Sequence, residues 1–104
     1  MLRQIDKLML DAVRNKRDWK NSNTAVVHQE HQTRVVLHST PIAEIDWNSK
    51  QIVVRTGGWN TPTTKSRLNA IIRTFTASSG IYQLKGQWVL AEEPFEGEMT
   101  LSLN

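Results

Sequence analysis

Between Thr24 and Thr56 the chain repeats one pattern: "TAVVHQ", "TRVVLHS", "IAEI" and "QIVVRT" are short β-branched runs separated by polar residues. This segment constrains the fold most, because such runs bounded by turn-forming residues read as strands. "EH" (Glu30, His31) separates the first two runs, and "DWNSK" (Asp46–Lys50) makes a hairpin loop between the last two. Alternation puts Thr33, Val35 and Leu37 on one face of the second strand. Arg34, Val36 and His38 take the other, off the face expected to be core.

Helices flank this region. Ile5, Leu8, Met9, Ala12 and Val13 form a helical stripe that should end near Arg17, with Trp19 covering the helix end. A second helix starts at Thr61 as N-cap, with Pro62 at the first helical position and Thr63 as an alternative cap. Leu68, Ile71, Ile72 and Phe75 are its apolar stripe, and Lys65, Asn69 and Arg73 lie to one side. "IYQL" and "QWVL" form a hairpin around Lys85-Gly86, and "EMTLSL" is a candidate closing strand. The acidic segment Glu92–Glu98 reads as a solvated tail. The expectation is a single α+β domain over residues 1–104. It is a mostly antiparallel β-sheet with an N-terminal helix and a second helix after the Gly-Gly-Trp loop.

Charge narrows the partners. Residues 91–104 hold four acids and no Lys or Arg, so residues 1–90 hold 13 basic and six acidic side chains. A basic body favours an anionic partner, either a nucleic acid or a phosphorylated small molecule. The chain has no cysteine, which excludes disulfides and thiolate metal sites. No apolar run is long enough to span a membrane, and charges interrupt the N-terminus too often for a secretory signal.

The stretch "GGWNTPTTKSRLN" (residues 57–69) combines features that suit a ligand. Gly57 and Gly58 permit a sharp turn or close approach, and Trp59 offers a flat face for a base. The helix start offers N–H groups at Thr63 and Thr64, with Lys65 and Arg67 adding charge. It is no Walker A sequence. The alternative is a capped helix with Trp59 plugging the core. His28 and His31 have no third ligand, so a metal site is not expected. No nucleophile–base pair is legible, and an enzyme is the weakest class.

In "DWKNSNT", "VVLHSTPIAEI", "GGWNTPTTKSRLNA", "GIYQLKGQWVL" and "PFEGEM" the chain resembles small bacteriophage proteins. In particular it resembles the first-described Thoeris anti-defence (Tad) sponges. The resemblance implies capture, without cleavage, of the cyclic ADP-ribose-type signal made by bacterial TIR proteins. It implies ligand contacts from Arg34, Trp59 and Asn69, with Trp59 where that family has phenylalanine. A further basic contact near the C-terminal hairpin has no secure match, with Lys85 only a guess for it. The resemblance also implies a homo-oligomer (a dimer or a dimer-based hexamer), cyclic oligonucleotides as a second ligand class, and the cytoplasm of the infected host. It implies no cofactor and no membrane. The competing readings are a small basic phage protein that binds nucleic acid, and an inhibitor of a host defence protein that uses Trp19, Trp47 and the acidic tail.

Overall fold

A computed structural model describes residues 2–104. The chain runs α1 (Gln4–Arg14), β1 (Trp19–Asn21), β2 (Thr24–Gln29), β3 (Gln32–Leu37), β4 (Thr40–Asp46) and β5 (Gln51–Arg55). It continues through α2 (Pro62–Phe75), β6 (Tyr82–Leu84), β7 (Gln87–Leu90), β8 (Glu93–Pro94) and β9 (Glu98–Ser102). This is the expected α+β fold. Six strands pair antiparallel in the order β1-β2-β3-β4-β5-β9, and β6-β7-β8 form a small second sheet.

Tight connections hold the large sheet in register. His38 and Ser39 both take left-handed backbone angles (φ 50° and 67°), as a two-residue hairpin with the native strand twist requires. Thr33, Val35 and Leu37 face inward and are buried, as alternation predicts. One buried row crosses the sheet from Val26 through Val35 and Ala43 to Val54. The register shifts between Val35 and Val36, which makes Ile42 an extra residue on β4. Ile42 and Ala43 are therefore both buried.

Both helices cover the same face. Met9, Ala12 and Val13 of α1 and Leu68, Ile71 and Ile72 of α2 close one continuous core with the strand residues. Trimming one such side chain to alanine costs roughly 2–5 kcal/mol.

Three local expectations are corrected. Helix α1 stops at Arg14 rather than near Arg17, where the bonding leaves the helical pattern: the Lys16 N–H donates to the Val13 carbonyl and the Arg17 N–H to the Ala12 carbonyl. Lys16 then turns left-handed (φ 51°). Trp19 lies on β1 opposite Val26, packed against the core to which α1 contributes. The α1 stripe is rotated, so Asp6 and Leu10 are buried while Ile5 and Leu8 are half-buried. Glu92–Glu98 is no solvated tail: Glu93–Pro94 pairs with β7, and Phe95 is buried with its N–H donating to the Trp88 carbonyl at 2.8 Å.

Candidate functional site

The turn after β5 is built by its glycines. Thr56 donates its N–H to the Gly97 carbonyl at 3.0 Å, which anchors the strand end. Gly57 and Gly58 follow with φ of 61° and 86°, and the Trp59 N–H closes the turn on the Thr56 carbonyl at 2.9 Å. Two successive left-handed residues define a type I′ geometry. A Cβ on Gly57 would drive into the Thr40 side chain. The turn thus projects Trp59 off the end of the sheet, where its ring is 46% exposed. The His38 ring lies 5.9 Å away, tilted at 41°. The indole stands beside a fixed turn and leaves the core filled without it.

The start of α2 is only partly open. Thr61 caps it as expected: its Oγ1 accepts the Thr64 N–H at 3.2 Å and its carbonyl accepts the Lys65 N–H at 3.0 Å. Thr64 is buried, so of the two N–H groups expected to be free only that of Thr63 is unclaimed among the described residues. Gly58 stands open, with nothing within 4 Å of the position a Cβ would take.

Arg67 corrects the sequence reading. It is 4% exposed and points into the protein. Its guanidinium donates to Asp6 Oδ1 at 2.8 Å and to Thr24 Oγ1 at 3.0 Å, while Ser66 donates to Asp6 Oδ2 at 2.7 Å. This network ties α2 to α1 and β2, and its charge is spent before any ligand arrives.

Asn69 is also buried, although helical spacing placed it beside the apolar stripe. Its Oδ1 accepts the Ile81 N–H at 2.6 Å and its Nδ2 donates to the Ile81 carbonyl at 3.1 Å. An asparagine amide supports up to four hydrogen bonds, so these two leave capacity for a ligand. Asn69 lines a groove of about 240 Å³ with Lys65, Ser66 and Arg73. Lys65 and Arg73 have no carboxylate partner within salt-bridge distance among the described residues. Gly80 packs here because a Cβ would come within 2.7 Å of Asn69 Oδ1 and 2.9 Å of Arg73 Nε. Arg73, expected only as part of the row beside the apolar stripe, and Gly80 join this groove. The i, i+4, i+8 row Lys65-Asn69-Arg73 was the available signal for the arginine.

Arg34 lies elsewhere. It sits on the outer face of the sheet, which the helices leave uncovered, and reaches Glu44 at 3.4 Å. Glu44 also binds Arg55, which bonds Glu98 at 2.8 Å, so a charge ladder crosses four strands. Hydrogen bonding from Arg55 holds the Glu44 carboxyl below its ordinary value, and Glu44 in turn raises Arg55. Arg34 stands four residues along β3 from the His38 turn, about 13 Å at ~3.3 Å per residue. One chain therefore does not gather Arg34, Trp59 and Asn69 around one point.

His28 and Trp47 are committed to packing. His28 Nδ1 and Trp47 Nε1 both meet Thr33 Oγ1, at 2.7 and 2.8 Å. Lys85 occupies the β6–β7 turn with φ 52° and is exposed.

Residues 2–102 match the family profile described as Kyanoviridae Gp96 protein. The chain belongs to this family. The Kyanoviridae Gp96 match makes it a member of a phage protein family and spans both helices, both sheets and the Gly57–Trp59 turn. No curated protein and no solved structure matches the chain. No described helix is long and apolar enough to cross a membrane.

Proposed function

We propose that this phage protein is a non-catalytic sponge. It captures a cyclic ADP-ribose-type signalling nucleotide in the cytoplasm of the infected host, as the resemblance to the Tad sponges implies. The observation that carries this reading is Trp59, a large aromatic side chain 46% exposed at the tip of a turn built from two left-handed glycines. An indole placed there adds little to the core, and stacking one base on such a face is worth roughly 1–3 kcal/mol. The row Lys65, Asn69 and Arg73 supplies cations and an amide for phosphate and ribose in the same part of the chain.

A second protomer completes the site in this reading. The groove of about 240 Å³ falls below the roughly 300–1,000 Å³ of small-molecule pockets. Arg34, on the outer face of one sheet, reaches the ligand from a neighbouring copy in a dimer or dimer-based hexamer. Cyclic oligonucleotides are a second ligand class for the assembly.

Calorimetric titration with cyclic ADP-ribose tests the proposal. The expected result is one nucleotide site per protomer, weakly sensitive to salt, with Trp59→Ala weakening binding about tenfold to a hundredfold. Binding that tracks nucleic acid and falls steeply with salt through counterion release supports the competing reading.

A further inference from the structure

We propose that the cleft between loop 76–80 and the Ala91-Glu92 turn binds a small organic cation, a guanidinium, amidinium or ammonium group carried on an apolar or aromatic body. The cleft shares no residue with the Trp59 turn or with the Lys65–Arg73 groove, and it stands whether or not those residues bind a nucleotide.

Two fixed rims form the cleft. On one side Thr76 caps α2, its hydroxyl donating to the Ile72 carbonyl at 2.7 Å and accepting the Ser78 N–H at 3.1 Å. The Ser78 hydroxyl accepts the Gly80 N–H at 3.2 Å, and Gly80 is packed against Asn69. On the other side Ala91 and Glu92 take successive left-handed angles (φ 52° and 63°) between the paired residues Leu90 and Glu93. That is the tight two-residue hairpin geometry, and it holds Glu92 at the rim. Leu101 and Ser102 of β9 lie between the rims, and the bridge from Thr76 to Leu103 closes one end. A notch closed at one end suits a small body rather than a chain running through it. Its volume, about 640 Å³, falls inside the roughly 300–1,000 Å³ of small-molecule sites.

The lining decides the charge of the ligand. Glu92 is its only charged side chain, and no cation comes within salt-bridge distance of Glu92 among the described residues. Arg73 donates to the Ser79 carbonyl but does not line the cleft. In a chain with 13 basic and 10 acidic side chains, this inverts the chemistry of the groove that holds Lys65 and Arg73. An anion entering the cleft would meet a carboxylate and no counter-charge. A planar guanidinium or amidinium instead meets both carboxylate oxygens at once. Tyr82 adds a ring that is 47% exposed, and a cation over such a face is attracted by the ring's quadrupole. Leu101 and Ala77 give the body of the ligand apolar contact, and the hydroxyls of Ser79 and Ser102 are acceptors for its outer N–H groups.

Benzamidine, a flat amidinium on a phenyl ring, is the probe, and benzoate, of similar size and opposite charge, is the control. Amide NMR shifts should saturate with benzamidine at residues 78–82 and at Ala91 and Glu92, and stay still with benzoate. Glu92→Gln removes the charge at an exposed position and should weaken binding about fivefold. Tyr82→Leu keeps an apolar side chain without the ring and should weaken it about two- to fivefold. Glu96→Gln, in the same acidic stretch, should change nothing. Equal binding of benzoate, shifts that map to Glu44 and Glu98 instead, or no saturable shift overturns the proposal. So does a Glu92→Gln variant that behaves like Glu96→Gln. Benzamidine bound in this cleft by a protein with no affinity for cyclic nucleotides would uphold the cleft and sink only the sponge reading.

Discussion

Trp59 and Arg67 lie eight residues apart in a segment read as one ligand-binding stretch, and the fold uses them in opposite ways. Trp59 is held out into solvent, so Trp59→Ala should leave the thermal unfolding midpoint nearly unchanged. A large loss of stability would mean that the ring is core. Arg67 is enclosed with Asp6, and removing one member of such a pair costs roughly 3–5 kcal/mol. Arg67→Ala should therefore lower the denaturant midpoint steeply, and a neutral outcome would contradict the network. Asn69→Ala carries both consequences. It should weaken capture, and it should also destabilise the chain by about 1–3 kcal/mol, since the Ile81 backbone loses its partner. Glu44 adds a pH dependence. Its carboxyl is held below the ordinary 4.5 by hydrogen bonding from Arg55. A lowered carboxylate gives stability that is present above 4.5 and lost as pH falls through the folded value. Glu44→Gln should flatten that acid dependence in thermal melts, and an unchanged profile would reject the ladder's role.

Elements with a strong local signal were readable. Thr61 followed by Pro62 marked the start of α2, and the alternation in β3 gave its buried face because each depends on neighbours in sequence. Strands β1 and β8 were missed because three and two residues carry no measurable period. Phe95, alone among four glutamates, was the cue that the acidic segment turns back to the core. The direction of Arg67 was hidden for a different reason. It depends on Asp6, about sixty residues away, and no pattern within α2 reports that partner. The turn before α2 offers a check at this scale. Gly57→Ala places a Cβ against Thr40 at a left-handed φ, so it should destabilise the protein by more than the ~1 kcal/mol that Gly→Ala gains at a compatible site. Gly58→Ala meets no atom and should cost less, so the ranking of the two in denaturant melts tests the turn geometry.

For the whole molecule, two helices on one sheet face leave a charged outer face and put the Trp59 turn at one end. The sequence located the turn, the cap and the basic row, which are local in the chain. It could not show that Arg34 faces away from Asn69, because that follows from the side of the sheet the helices cover. The residues of the proposed nucleotide site therefore lie on separate surfaces of a single chain, which is why the proposed capture needs an assembly. Its most direct test is capture and release. The protein is incubated with the cyclic product of a TIR enzyme, washed, heat-denatured, and the released material is identified by mass spectrometry. The account predicts an intact cyclic nucleotide, retained by the wild type and lost from Trp59→Ala. Release of linear ADP-ribose, or no retained nucleotide, would contradict it.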